Sequence, residues 1–140
     1  MQYEPGTLRV VAYKNGKIWA SDTVRTAGTA VKLQLMADKS VISANGLSFI
    51  TLRVVDNNGV LAPEADNQIT FDISGPGEIV ATDNGDPADL TAFPSKERKA
   101  FKGLALVIVR AKAGMPGAIT VTANSNSLTP AQVVIRSAKL

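Results

Sequence analysis

Cysteine and histidine are both absent from this 140-residue sequence. Without cysteine there are no disulfides, iron–sulfur clusters, thiolate zinc sites or thiol nucleophiles, so packing alone must hold the fold. Without histidine, the Ser–His–Asp triad, the imidazole general base and nearly every zinc arrangement are excluded as well. No cofactor or metal is expected. Aromatic residues are scarce at 5%, with a lone tryptophan at Trp19. Charge of neither sign dominates: 15 basic and 12 acidic residues leave a net +3, dispersed along the chain, which gives no footprint for nucleic acid. No apolar run reaches the length of a membrane helix, so membrane insertion is not expected. The opening Met1-Gln2-Tyr3-Glu4-Pro5-Gly6 lacks the basic and apolar blocks of a signal peptide.

What the sequence does contain is β-branched residues in short alternating runs bounded by Gly, Pro, Asn or Asp. Thr7 to Lys14 and Lys17 to Thr26 are joined by Asn15-Gly16, a pair suited to the two positive-φ positions of a type I′ turn. This leading hairpin is followed by Ala27-Gly28-Thr29-Ala30, small residues that suit a loose joint. Seven strands follow: Val31 to Ala37, Ser48 to Asp56, Gln68 to Ser74, Glu78 to Thr82, Leu104 to Ala111, Ala118 to Ser125 and Ala131 to Ser137. Phe49 is expected at the sandwich edge. The run Leu104 to Ala111 is almost continuously apolar, as in a strand buried on both faces or crossing the centre of a sheet. Asp83 to Lys99 reads as one long loop. This describes an all-β, immunoglobulin-like antiparallel β-sandwich of about seven strands preceded by a β-hairpin. The expected inter-sheet core is Leu33, Leu35, Leu52, Ile69, Phe71, Leu106, Ile108, Val121 and Ile135.

Two stretches resemble a known family. Gly6-Thr7-Leu8-Arg9-Val10-Val11-Ala12-Tyr13-Lys14-Asn15-Gly16-Lys17, with Ser21-Asp22-Thr23-Val24-Arg25-Thr26-Ala27-Gly28, looks like the last hairpin of the immunoglobulin-like domain that follows the catalytic barrel in family-two glycoside hydrolases. Val54-Val55-Asp56-Asn57-Asn58-Gly59-Val60-Leu61-Ala62-Pro63, Gly75-Pro76-Gly77, Asp83-Asn84-Gly85-Asp86-Pro87 and Arg98-Lys99-Ala100-Phe101-Lys102-Gly103-Leu104 resemble the C-terminal invasin-like or bacterial immunoglobulin-like domain of Bacteroides-type β-galactosidases. The resemblance spans residues 31 to 136. It implies residues 1–27 as the C-terminal hairpin of a preceding domain and 28–140 as the C-terminal domain. It further implies a non-catalytic accessory module, whose partners are the other domains of an exported, periplasmic or extracellular hydrolase. The family's catalytic glutamates sit on a (β/α)₈ barrel, so none carries over to this sequence.

The residues offer few rival sites. Asp83, Asp86 and Asp89 form the densest acidic set, but Asp, Asn84, Gly85 and Pro87 together are turn chemistry. Their spacing does not match a calcium loop. Lys96-Glu97-Arg98-Lys99-Ala100-Phe101-Lys102 concentrates four positive charges that could meet a phosphate or acidic glycan; the plainer expectation is that Arg98 or Lys99 neutralises the aspartates at the other end of the loop and orders it. Tyr13 and Trp19 face each other across the leading turn and could form a platform for a sugar ring; a cross-strand structural pair is the plainer reading. A carbohydrate-binding module and a cell-surface adhesin repeat are therefore the alternatives to a structural domain.

Overall fold

The computed structural model describes residues 4–138. The leading hairpin forms from β1 (Thr7–Lys14) and β2 (Lys17–Arg25), closed by Asn15 at φ 52° and Gly16 at φ 74°. These are the two positive-φ positions that let the turn follow the strands' twist. Among the described residues β1 and β2 pair only with each other, and their register slips between Ala12 and Tyr13. Nearly all of their side chains are exposed, Leu8, Val10, Ile18 and Val24 included.

Among the described residues nine strands build the sandwich rather than seven: β3 (Lys32–Ala37), β4 (Val41–Ile42), β5 (Leu47–Val55), β6 (Gln68–Ser74), β7 (Gly77–Asp83), β8 (Glu97–Lys99), β9 (Leu104–Ala111), β10 (Gly117–Asn124) and β11 (Ala131–Ser137). One sheet runs β3-β5-β9-β7 and the other β4-β11-β10-β6-β8. All pairings are antiparallel except the short parallel contact of β11 with β4. The two additional strands are too short to show a period in the sequence. β4 has two residues, and β8 lies inside the stretch read as one loop.

The inward side chains of both sheets meet in one core. Leu33, Leu52, Ile69, Phe71, Val121 and Ile135 lie in it as their alternation implies. Leu35 is only partly buried against it. Leu106 and Ile108 are a correction: they are half-buried on the outer face, while Ala105, Val107, Val109 and Ala111 point inward. A continuous apolar run carries no phase, so β9 could not be oriented from its own residues. Phe49 is a second correction. It lies on the outer face of β5, a strand flanked on both sides, and not at an edge. Each Val, Ile, Leu or Phe buried in this way contributes about 1.5–3 kcal/mol relative to exposure.

Between β6 and β7 the chain reverses at Gly75, whose φ of +88° and close approach to the Ala118 carbonyl leave no room for a Cβ. The joint after the hairpin is pinned rather than loose. The Gly28 amide donates to Asp56 Oδ2 at 2.8 Å, the Val31 amide to the Val55 carbonyl at 3.0 Å, and the Thr129 amide to the Val31 carbonyl at 2.9 Å. Asp56 also accepts the amides of Asn58 and Val60, both at 2.9 Å, so one buried carboxylate ties the Asn57-Asn58-Gly59 turn to the joint.

Candidate functional site

The stretch from Asp83 to Lys99 is ordered by its own side chains. Asp83 Oδ1 accepts the amides of Asn84 (2.7 Å) and Gly85 (3.2 Å), and Asn84 Oδ1 accepts that of Asp86 (2.9 Å). Asp86 Oδ1 accepts from Ala88 (2.9 Å) and Asp89 Oδ1 from Thr91 (2.8 Å). These are successive Asx turns, with Gly85 at φ +74° between them and Pro87 fixing the next step. The aspartates are thus committed to the local backbone. Among the described residues no group of three or more acidic side chains is arranged to hold a metal ion.

Arg98 holds this loop from inside. Its side chain is 1% exposed and all five guanidinium donors find acceptors. Nε donates to Thr82 Oγ1 (3.2 Å), Nη1 to Asp89 Oδ2 and the Thr91 carbonyl (both 3.0 Å), and Nη2 to the carbonyls of Thr82 (2.7 Å) and Ala92 (3.0 Å). β8 positions it by pairing Arg98 with Ile69 of β6, so its side chain points between the sheets towards the edge of β7. The Thr82 amide in turn donates to the Phe93 carbonyl at 2.8 Å, and the loop covers that edge.

Lys99 takes a different partner. Its Nζ lies 2.8 Å from Asp66 Oδ2, both side chains well exposed, and does not reach back to the loop's aspartates as Arg98 does. Beside this pair, a groove of about 480 Å³ is lined by Gln68, Asn84, Asp86 and Phe101 among others. A wider cleft of about 920 Å³ separates the end of the hairpin, Thr23 to Ala30, from Val60 to Asn67. At the hairpin tip, Tyr13 (67% exposed) is opposite Ile18, while Trp19 (71% exposed) is the extra residue at the register slip. Lys14 Nζ stands 6.0 Å from the Trp19 ring centroid and takes up one approach to its face.

Four carboxyl groups are held below their ordinary value of 3.8. The Thr91 hydroxyl and amide, and then Arg98, lower Asp89; the Gly28 amide leads for Asp56, Lys99 for Asp66, and the Phe49 amide for Asp38. Asp66 raises Lys99. For the aspartates the unfolded chain takes up protons first, so their stabilisation is complete above the unfolded value and is lost as pH falls through the folded ones. The Lys99 contribution is complete below its ordinary value of 10.5 and is lost as pH rises through the raised one. With no histidine, the urea midpoint is expected to stay level between about pH 5 and about pH 8 and to fall below about pH 4. A step between about pH 6 and 7 in denaturation curves would contradict this.

Two of the anchoring groups were not visible in the sequence as such. Asp56 read as the last residue of a strand, not as the acceptor for the amide of Gly28, a partner 28 positions away. Thr82 read as an ordinary strand residue, yet it is fully buried beneath Arg98.

A family model described as the glycoside hydrolase family 2 C-terminal domain 5 matches residues 33–134. The chain belongs to this family. A β-galactosidase of Bacteroides ovatus is 38% identical to this chain over the whole of the chain. A crystal structure of a glycosyl hydrolase family 2 member from Bacteroides cellulosilyticus is 33% identical over 99% of it, with a TM-score of 0.90. A β-glycosidase from Bacteroides vulgatus is 27% identical over 96%, with a TM-score of 0.91. The chain spans only 17% of the length of the first of these relatives and 18% of the other two. A Yersinia pseudotuberculosis adhesin, 17% identical at a TM-score of 0.53, shares the fold alone.

Proposed function

We propose that this chain is a non-catalytic structural part of a β-galactosidase-like glycoside hydrolase, contributing stability and spacing to a longer polypeptide. The observation that carries the reading is the end-to-end match, at 38% identity, to 17% of a β-galactosidase. The site chemistry supports it. Glycoside hydrolysis needs one carboxyl group kept protonated as general acid, and every displaced carboxyl group here, Asp38, Asp56, Asp66 and Asp89, is displaced towards the ionised form. Residues 1–27 then belong to a preceding immunoglobulin-like domain and 28–140 to the C-terminal one. In support, β1 and β2 pair with no strand of the sandwich, and a lone two-stranded sheet is marginal in water. The parent would act in the periplasm or outside the cell.

The 140-residue chain, purified to homogeneity and incubated with a chromogenic β-galactoside, is expected to give no turnover above the buffer rate. Hydrolysis that scales with the concentration of the chain would overturn the reading. Carbohydrate contact at Tyr13 and Trp19 is a second reading favoured by their exposure. Its check is a titration with galactosides followed by Trp19 fluorescence.

A further inference from the structure

The two sheets differ on the faces they turn away from the core. On β4-β11-β10-β6-β8 the outward residues include Thr70, Asp72, Thr120, Thr122, Gln132 and Arg136, with Val134 and, on the two-residue edge strand β4, Val41 as the apolar exceptions. That is what a solvated antiparallel face should carry. On β3-β5-β9-β7 the centre of the outer face is apolar. Phe49 is directly opposite Ile108, and Leu106 is opposite Thr51, which in turn is opposite Met36. Met36 is 58% and Phe49 40% exposed, and Leu106 and Ile108 are half-buried. Around this centre stand Arg53, Asp83 and the Arg110–Glu78 ion pair, which gives the arrangement of an interface, apolar within and polar at the rim. β9 states the same thing in sequence. Its run from Leu104 to Val109 is apolar on both faces, the pattern of a strand covered twice, and the fold covers only one of them.

We infer that the outer face of the β3-β5-β9-β7 sheet is a docking surface for another domain of the polypeptide in which this chain occurs. The occupant follows from length. Each of the three relatives matches this chain over 96% or more of it, yet the matched part is no more than 18% of the relative, so most of the polypeptide lies elsewhere. The partner surface is apolar at its centre and acidic where it meets Arg53, which among the described residues forms no ion pair. This inference rests on the reading of the chain as one module of a longer hydrolase.

Hydroxyl-radical footprinting of the isolated chain and of the whole protein tests it. Met36, Phe49 and Ile108 are expected to be modified in the isolated chain and protected several-fold in the whole protein. Val134, on the opposite sheet, should be modified equally in both. Equal modification of Met36 and Phe49 in the two samples would overturn the inference. So would protection that arises in the isolated chain at high concentration and disappears on dilution, because the occupant would then be a second copy. The variant Met36→Asp with Phe49→Asp should restore labelling of Ile108 in the whole protein; should that variant fail to fold, the unsubstituted pair of samples decides alone. Glycosidase assay of the whole protein separates the two readings: activity with an unprotected face sinks the docking surface only, and protection without activity sinks the hydrolase reading only.

Discussion

Arg98→Met is expected to destabilise the chain by about 3–5 kcal/mol, the range found when one partner of a buried charged pair is removed. Methionine fills much of the same volume but donates nothing, so the carbonyls of Thr82, Thr91 and Ala92 and one oxygen of Asp89 lose their donor together. The loop should then detach from β7, because two of the five bonds of Arg98 reach Thr82 of β7 and the other three reach Asp89, Thr91 and Ala92 of the loop. Urea denaturation gives the loss, and limited proteolysis should cut between Leu90 and Ser95 in the variant only. Arg98→Lys keeps the charge but not the planar fork, so it should fall between wild type and Met. Lys99→Met is the control: it removes an exposed ion pair with Asp66 and should leave the midpoint nearly unchanged. A loss below about 1 kcal/mol for Arg98→Met would mean the loop is held by its Asx turns alone.

Arg98 shows where sequence reading runs out. It stands in a seven-residue stretch, Lys96 to Lys102, that holds four basic residues and offers more than one partner for the loop's aspartates, and only the pairing of β8 with β6 turns one of them inward. Three residues are too few to display alternation, so β8 was invisible and Arg98 remained one of two equal candidates beside Lys99. By contrast, the strands with one polar face declared themselves. β5, β6 and β10 alternate cleanly, and their inward sets, Ile50-Leu52-Val54, Ile69-Phe71 and Ile119-Val121-Ala123, are those the alternation picks out. Asn15-Gly16 specified its turn because few residue pairs accept two positive φ values. The joint is the intermediate case. Ala27 to Ala30 are small and looked mobile, but what fixes them is a carboxylate from a distant turn, and long-range partners leave no local signal.

Phe71→Ala is expected to cost about 3–5 kcal/mol, the range for phenylalanine truncated in a packed core. Phe71 is fully buried in the middle of β6 and faces Ala123 across the pair with β10. Its neighbours are held in two sheets, so they cannot close on the space the ring leaves, and the cavity adds to the lost transfer energy. Leu106→Ala provides the contrast that tests the phase of β9. On the half-exposed outer face it leaves no enclosed cavity and should cost about 1 kcal/mol or less in the isolated chain. Val109→Ala, one strand position of opposite facing, should exceed it despite removing fewer atoms, because Val109 is fully buried between the sheets. If Leu106→Ala proved as costly as Phe71→Ala while Val109→Ala were nearly neutral, β9 would present its other face to the core, and the apolar outer face of the β3-β5-β9-β7 sheet would lose two of its central residues.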